Sequence, residues 1–449
     1  MPHPRQFVQP PLEFIPPDLD RNILRVARLI LPVWMRRKTS IAKIDAVNVE
    51  QLAELYQQFQ AGKIRLLLAF RHPSADDPFC LMYLVHYLLP RTARQTGIRL
   101  QSPTHAHFMY DRGIPLWAGA HIGWMYSKLG GTPIHRGKLD RVGLKSARDL
   151  LTNGQFPLMA APEGATNGHN EIVSPLEPGI AQMAFWCVED LQKADRSEQV
   201  VIVPIGIQYH YVKQDWKPVD QLLKSLEADT GIKPNTSDRY ARLYAISEHM
   251  LTVMESFYRR FYHQDLPSVE NAEPNARLAL RLEILLDAAL TVAEQYFNLQ
   301  TKGNVIDRCR RLEQAAWDLI FREDLKLGEI PPVDRGLADR VAEEASLRIW
   351  HMRLVESFVA VTGKYVLEKP SLDRFAETTL LLWDMITRIK GGNAFKRPRL
   401  GKQSVLMTIG EPISVSDRAA VYQSSRRAAK QAVADLTQDL QIAMEKMIL

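Results

Sequence analysis

Lys63-Ile64-Arg65-Leu66-Leu67-Leu68-Ala69-Phe70 runs straight into Arg71-His72-Pro73-Ser74-Ala75-Asp76-Asp77-Pro78. The first eight residues are a short, nearly continuous apolar run with the length of a buried strand. Pro78–Leu89 then reads as a helix, with Pro78 at its first position and Asp77 as the N-cap before it. His72 therefore sits at the carboxyl end of a strand and Asp77 at the start of the next helix.

Working outward, strands and helices alternate. Ala106–Tyr110, Phe156–Ala161 and Val200–Tyr209 are further apolar strand candidates, and helical segments separate them. That alternation predicts an α/β layer. From about Asp215 to Leu400 the texture changes to long helical patterns: Ser237–His263, Glu273–Gln300, Val305–Glu323, Leu337–Tyr365 and Leu372–Lys390. Leu278, Leu282, Leu285, Ala289, Val292 and Tyr296 keep a helical spacing that forms one apolar stripe. Asp238 and Ser371 are suited to cap two of these helices. Gly391-Gly392-Asn393 closes the block as a loop. Ser404–Ile409 returns to a strand pattern and Asp417–Ile448 is helical. The reading is an α/β domain of residues 40–212 and 401–449, interrupted by a helical insert over 213–400 and preceded by an arm and helix over 1–39.

The chain has 449 residues, 46% hydrophobic and 24% charged, an ordinary balance for a sizeable core. Cys80, Cys187 and Cys309 are far apart and odd in number, so neither a disulfide framework nor a zinc knuckle is expected. No secretory leader pattern opens the chain and no run of about 18 apolar residues predicts a membrane span. A formal charge of +6 suits an anionic partner. With no helix-turn-helix, finger or RNA-binding signature, a phosphorylated substrate or an anionic membrane face fits better than nucleic acid.

Residues 1–19 are proline-rich and read as an extended arm. Arg21–Leu31 turns helical, with Arg21, Arg25 and Arg28 on one side and Ile23, Val26, Ala27 and Ile30 on the other. Pro32 is expected to break this helix, and Trp34 precedes the cluster Arg36, Arg37 and Lys38. A basic amphipathic helix of this kind fits an anionic membrane interface; it equally fits a helix packed on its own domain.

His72 and Asp77 are the candidate chemical pair, since a histidine can act as a base near neutral pH and a carboxylate can fix its tautomer; a loop histidine before a plain N-cap aspartate has the same pattern. The His-x4-Asp spacing alone is weak, because His135–Asp140 and His210–Asp215 share it. Order adds what spacing lacks. Leu129-Gly130-Gly131-Thr132-Pro133-Ile134-His135-Arg136-Gly137 follows about sixty residues later. Then come Ala161-Pro162-Glu163-Gly164-Ala165-Thr166-Asn167 at a strand end, and Val203-Pro204-Ile205-Gly206 inside the next strand.

In these blocks, and in the stretches Ile114-Pro115 to Gly123-Trp124 and Gly410-Glu411-Pro412-Ile413, the chain resembles the glycerolphosphate acyltransferase family, which includes the lysophosphatidic acid acyltransferases. The resemblance covers roughly residues 60–212 and 402–415. It implies a mixed sheet flanked by helices, here with an inserted all-helical subdomain. It implies a peripheral enzyme on the inner, cytoplasmic face of a membrane, active in phospholipid biosynthesis. His72 would be the general base and Asp77 the residue that orients and charges it. The acceptor hydroxyl would attack an acyl thioester, of coenzyme A or a carrier protein, directly and without cofactor or metal. Arg136 would hold a phosphate of the acceptor, and Ser74, Glu163 and Gly164 would shape the substrate site.

The departures concern the acceptor. Arg71 stands where the family has Asn, and Pro133 where it has Phe. Ala165, Thr166 and Asn167 replace Thr, Arg and Ser of the third block, and Leu176-Glu177-Pro178-Gly179 lacks a basic residue before its glycine. Two cationic contacts to phosphate are thus missing, while the catalytic pair is kept. The implied acceptor is a lysophospholipid, a glycolipid or another lipid alcohol. Two other readings remain: a non-catalytic lipid-binding or scaffold protein on the same fold, and a partner-binding role for the helical insert.

Overall fold

A computed structural model describes residues 7–135, 140–269, 272–356, 364–394 and 396–448. The chain divides into two units. Among the described residues, one comprises residues 13–135, 140–212 and 402–448; the other is built on residues 213–401 with residues 7–12.

The first unit holds the strands: β1 (Ile41–Val47), β2 (Ile64–Phe70), β3 (His107–Asp111), β4 (Gly131–Ile134), β5 (Leu158–Ala160), β6 (Gln199–Tyr211), β7 (Gln403–Ile409) and β8 (Ile413–Ser414). Their order is β1-β7-β6-β2-β5-β3-β4, with β8 paired to β6. The β2–β5, β2–β6, β3–β4, β3–β5 and β1–β7 pairs are parallel; β6 meets β7 and β8 antiparallel. The mixed α/β sheet flanked by helices is the architecture expected from the sequence.

β2 lies in the middle of the strand order, and every one of its residues is buried. Successive side chains leave a strand on opposite faces. Leu66, Leu68 and Phe70 enter one core layer with Leu52, Tyr56 and Phe59 of α2 (Val49–Gln60). Leu67 and Ala69 enter the other, with Leu151, Ala184, Phe185 and Leu436. Arg65 also points into a covered face. Its guanidinium caps the carbonyls of Leu151 (2.7 Å) and Gly154 (2.8 Å) at the end of helix Arg141–Asn153, and burial pushes its pKa down to about 10.

The helix that opens this unit, α1 (Arg21–Lys38), does not end at Pro32; it runs through it. Proline there removes the bond that its N–H would make to the Arg28 carbonyl four residues back. The Tyr87 hydroxyl donates to that carbonyl instead. Leu31 and Met35, in the turns around Pro32, are buried in the same core layer as Tyr56 and Leu66, which holds the continuing turns in place. Trp34 is half-buried against Phe79, ring centroids 4.1 Å apart and planes tilted by 42°. Leu24, Leu31 and Met35 form the inward face of α1. Val26, Leu29, Ile30 and Val33 form a second apolar face that is exposed, Leu29 at 75%.

The Pro78–Leu89 reading merges three pieces: α3 (Asp77–Tyr83), a π turn over Leu84–Leu88 and helix Leu89–Gln95. β1, β4 and β8 were not read from the sequence as strands. β1 alternates weakly, with most of its residues exposed or half-buried, as expected of a strand with one neighbour.

The second unit is helical among its described residues, apart from a single bridge between Gln9 and Phe321. Its helices include Arg239–Tyr262, Pro274–Tyr296, Val305–Ile320, Pro332–Glu356 and Leu372–Ile389. Leu285, Ala289 and Val292 pack with Met254, Tyr258, Leu312 and Val355, whereas Tyr296 at the end of the expected stripe is exposed. Asp238 and Ser371 cap their helices through Ala241 N–H (2.7 Å) and Arg374 N–H (3.3 Å). Among the described residues no helix is long and apolar enough to cross a membrane.

Candidate active site

β2 ends at Phe70, and the main chain of Arg71 still bonds the Ile205 carbonyl of β6 (2.9 Å). His72 is thus fixed where the strand releases the chain. Its main-chain N–H donates to Glu163 Oε1 (2.7 Å) and its carbonyl accepts from Asn167 N–H (3.3 Å). The imidazole is turned to the start of α3, where Nδ1 lies 2.9 Å from Asp77 Oδ2. The Ser74 N–H donates to the same oxygen (2.9 Å), which bends residues 73–76 into a turn that brings the two side chains together.

Asp77 does not act as the helix cap. α3 has no side-chain cap, and the Asp77 carboxylate bonds backwards to the turn and to His72. Its other oxygen accepts the hydroxyl of Tyr209, on β6, at 2.5 Å. The Asp77 side chain is fully buried and that of His72 is 22% exposed. An ionised Asp77 accepts hydrogen bonds only, so Nδ1 carries the imidazole proton and Nε2 keeps the lone pair. The Thr166 hydroxyl lies 3.1 Å from Nε2 and therefore donates to it.

The third sequence block builds the opposite wall. Gly164 turns at φ +69°, a left-handed conformation that favours glycine, and a Cβ there would also displace the Glu177 carboxylate, 2.2 Å away. Glu163 is buried behind the main chain. Besides His72 N–H it accepts from Asn167 Nδ2 (2.8 Å) and Ser174 N–H (2.9 Å). Glu163 and Gly164 thus shape the loop from behind. Arg71, also buried, donates to the carbonyls of His169 (3.2 Å), Asn170 and Ile172 (2.6 Å), with Nε 4.0 Å from Glu163 Oε1. The Ser74 hydroxyl accepts from Asp76 N–H (3.2 Å) within the turn. Arg136 lies outside the described residues.

The other two His-x4-Asp spacings serve different ends. Asp140 accepts from the N–H groups of His135 (2.8 Å) and Gly143 (3.0 Å) and pairs with Arg112, capping helix Arg141–Asn153. Asp215 accepts from Lys217 N–H (3.0 Å). Among the described residues no group of three or more His, Cys, Asp or Glu is arranged to hold a metal ion.

Tyr209 and Asn170 are the site residues that the sequence reading missed. The Asn170 amide exchanges two bonds with the Tyr209 main chain (2.8 and 2.7 Å), tying the third block's loop to β6. The available signal was the alternation along β6. Val203, Ile205, Ile207 and Tyr209 share one buried face, and a phenol on such a face needs a polar partner.

Residues 45–208 match the family model described as Acyltransferase, that of the glycerolphosphate and lysophosphatidic acid acyltransferases. The match begins in β1 and ends in β6, one residue before Tyr209. No curated protein and no solved structure matches the chain.

Proposed function

We propose, on the match of residues 45–208 to the model of the glycerolphosphate and lysophosphatidic acid acyltransferase family, that the protein moves a fatty acyl group from a thioester to a hydroxyl of a membrane lipid. The observation that carries this reading is the His72–Asp77 contact of 2.9 Å, with Nε2 left to a hydroxyl. In the reaction the acceptor O–H replaces Thr166 on Nε2. His72 takes its proton as the oxygen attacks the thioester carbonyl, and returns the proton to the departing thiolate. Asp77 keeps the tautomer and balances the imidazolium. The donor is a coenzyme A or carrier-protein thioester; no resident cofactor takes part.

The acceptor is a lysophospholipid or related lipid alcohol. Thr166 occupies the position of the family's third-block arginine, and the Arg71 guanidinium is buried on main-chain carbonyls. Neither side chain offers a cation to a phosphate at His72. Arg136 is proposed to supply one from the second block.

The work site is proposed to be the inner face of a membrane. The exposed stripe Val26, Leu29, Ile30 and Val33 supports this, flanked by exposed Arg25, Arg36 and Arg37. An apolar face rimmed by cations suits the headgroup boundary of an anionic bilayer. The test is consumption of acyl thioester by the full chain on anionic vesicles doped with single lysophospholipids or other lipid alcohols. Acceptor-dependent release of free thiol supports the reading. Vesicle binding with no thiol release from any acceptor would favour a lipid-binding protein instead.

A further inference from the structure

Asp77 is satisfied from three directions, and one of them belongs to neither the motif nor its turn. Oδ2 takes the His72 imidazole proton and the Ser74 N–H. Oδ1 takes the Tyr209 hydroxyl at 2.5 Å. The Asp77 side chain has no exposure and Tyr209 is buried, so water cannot stand in for that donor. A buried carboxylate oxygen left without a donor is costly, and the carboxylate would swing to share the donors of Oδ2.

We propose that Tyr209 is a positioning residue for acyl transfer, holding the Asp77 carboxylate so that the His72 imidazole keeps Nδ1 bonded and Nε2 turned to the acceptor. This rests on the acyl-transfer reading above. The phenol is well placed for it. Its main chain is fixed twice, by the register of Tyr209 with Val405 on β7 and by the two bonds to the Asn170 amide. Asn170 belongs to the same loop that carries Thr166, so one residue relates the base, its carboxylate and the loop across Nε2.

The titratable groups facing the phenol are Asp77 and Cys80, whose Sγ lies 3.5 Å from the hydroxyl. Burial and then the Asp77 charge push the Tyr209 pKa well up, and burial pushes up that of the Cys80 thiol. Both stay protonated across working pH, and Tyr209 remains a donor. Around His72 the charged groups are Asp77 at Nδ1 and Glu163 at the main-chain N–H, with Arg71 behind Glu163. A donor on Asp77 draws carboxylate charge away from the imidazole. Removing it leaves more of that charge on His72, favours the imidazolium, and moves the acid limb of the rate profile upward.

The experiment is Tyr209→Phe, which keeps the ring and the main-chain bonds. We expect kcat to fall on the order of tenfold with KM within about twofold, as for loss of an interaction between contacting groups felt in the transition state. The acid limb of kcat/KM should move to higher pH. In the Asp77→Asn background the same substitution should cost nothing further. An unchanged acid limb and kcat, with only a lower melting temperature, would overturn the proposal. If Tyr209→Phe does not fold, 3-fluorotyrosine placed at 209 makes the phenol a stronger donor and should move the limb down; an unmoved limb overturns the proposal equally. His72→Ala is assayed beside them. An absence of transfer by the wild type defeats the acyl-transfer reading itself, transfer retained in His72→Ala defeats His72 as the base, and loss in His72→Ala with a normal Tyr209→Phe defeats only the role of Tyr209.

Discussion

The Thr166 hydroxyl donates to Nε2 of His72 at 3.1 Å and so occupies the lone pair that an acceptor hydroxyl must reach. Thr166, His72 and Asp77 stand in the order of a nucleophile, its base and the base's carboxylate. Two reactions share that geometry, and Thr166→Ala separates them. If Thr166 only holds the acceptor's place, the variant loses one exposed hydrogen bond, and transfer should stay within about tenfold of wild type. Abolished transfer, together with an acyl adduct on Thr166 in the intact mass of the wild type, would mean that the acyl group passes through the enzyme.

Arg71→Asn restores the residue that the resembling family has, yet it should destabilise this protein. The substitution strips the buried carbonyls of His169 and Asn170 and the half-buried one of Ile172 of a donor, and removes the guanidinium beside the Glu163 carboxylate. Breaking a buried charged cluster by deleting one member costs about 3–5 kcal/mol. Arg71→Lys should recover little, because an ammonium cannot reproduce the guanidinium fork. Denaturant unfolding checks both; midpoints equal to wild type would show that the carbonyls find other donors.

Much of the fold and half of the site could be read from the sequence, and the division has a physical origin. β2 and β6 announce themselves because both of their faces are covered, which makes an apolar run of strand length. β1 has one neighbour and half-solvated faces, so its pattern is weak. Pro32 was read as a break because local propensity says so; the Tyr87 hydroxyl and the burial of Leu31 and Met35 override it through contacts that no local window contains. In the site, His72 and Asp77 are close in sequence and their pairing follows from one turn. Tyr209 lies 132 residues from Asp77, and only the sheet order joins them.

Acid should destabilise the α/β unit through two buried histidines. His86 donates Nδ1–H to the Thr104 carbonyl (2.9 Å) and His105 donates Nε2–H to that of Leu129 (2.8 Å). Burial pushes their pKa values down to about 4 and about 3. An unfolded chain takes these protons near pH 6.5, and the fold only near 4 and 3. Between those values the unfolded chain binds more protons, so stability is full above about 6.5 and falls as the pH drops towards 4, on the order of 3 kcal/mol for His86. Thermal melts from pH 7 to 4 should show the fall, and a His86→Asn/His105→Asn variant should flatten it. Equal slopes in the two proteins would remove these rings as its cause.

Leu29→Glu with Ile30→Glu should abolish binding to anionic vesicles while leaving the fold intact, since both side chains are exposed. Added salt should weaken wild-type binding, because part of it is electrostatic. Deleting α1 is a poorer test, as Leu31 and Met35 are core residues. Vesicle sedimentation that does not distinguish the double variant from wild type would exclude the stripe as the membrane contact.

The most direct measurement compares three histidine variants for acyl transfer on folded, full-length protein. His72, His135 and His210 each precede an aspartate at the same spacing. The His72 imidazole rests on its aspartate with Nε2 facing a hydroxyl, while Asp140 caps a helix and Asp215 closes a turn. His72→Ala should lose transfer by a factor on the order of 10² or more, the usual worth of a general base. His210→Ala should be nearly silent, and His135→Ala intermediate through its neighbour Arg136. Transfer by His72→Ala at the wild-type rate would contradict the assignment of His72 as the base.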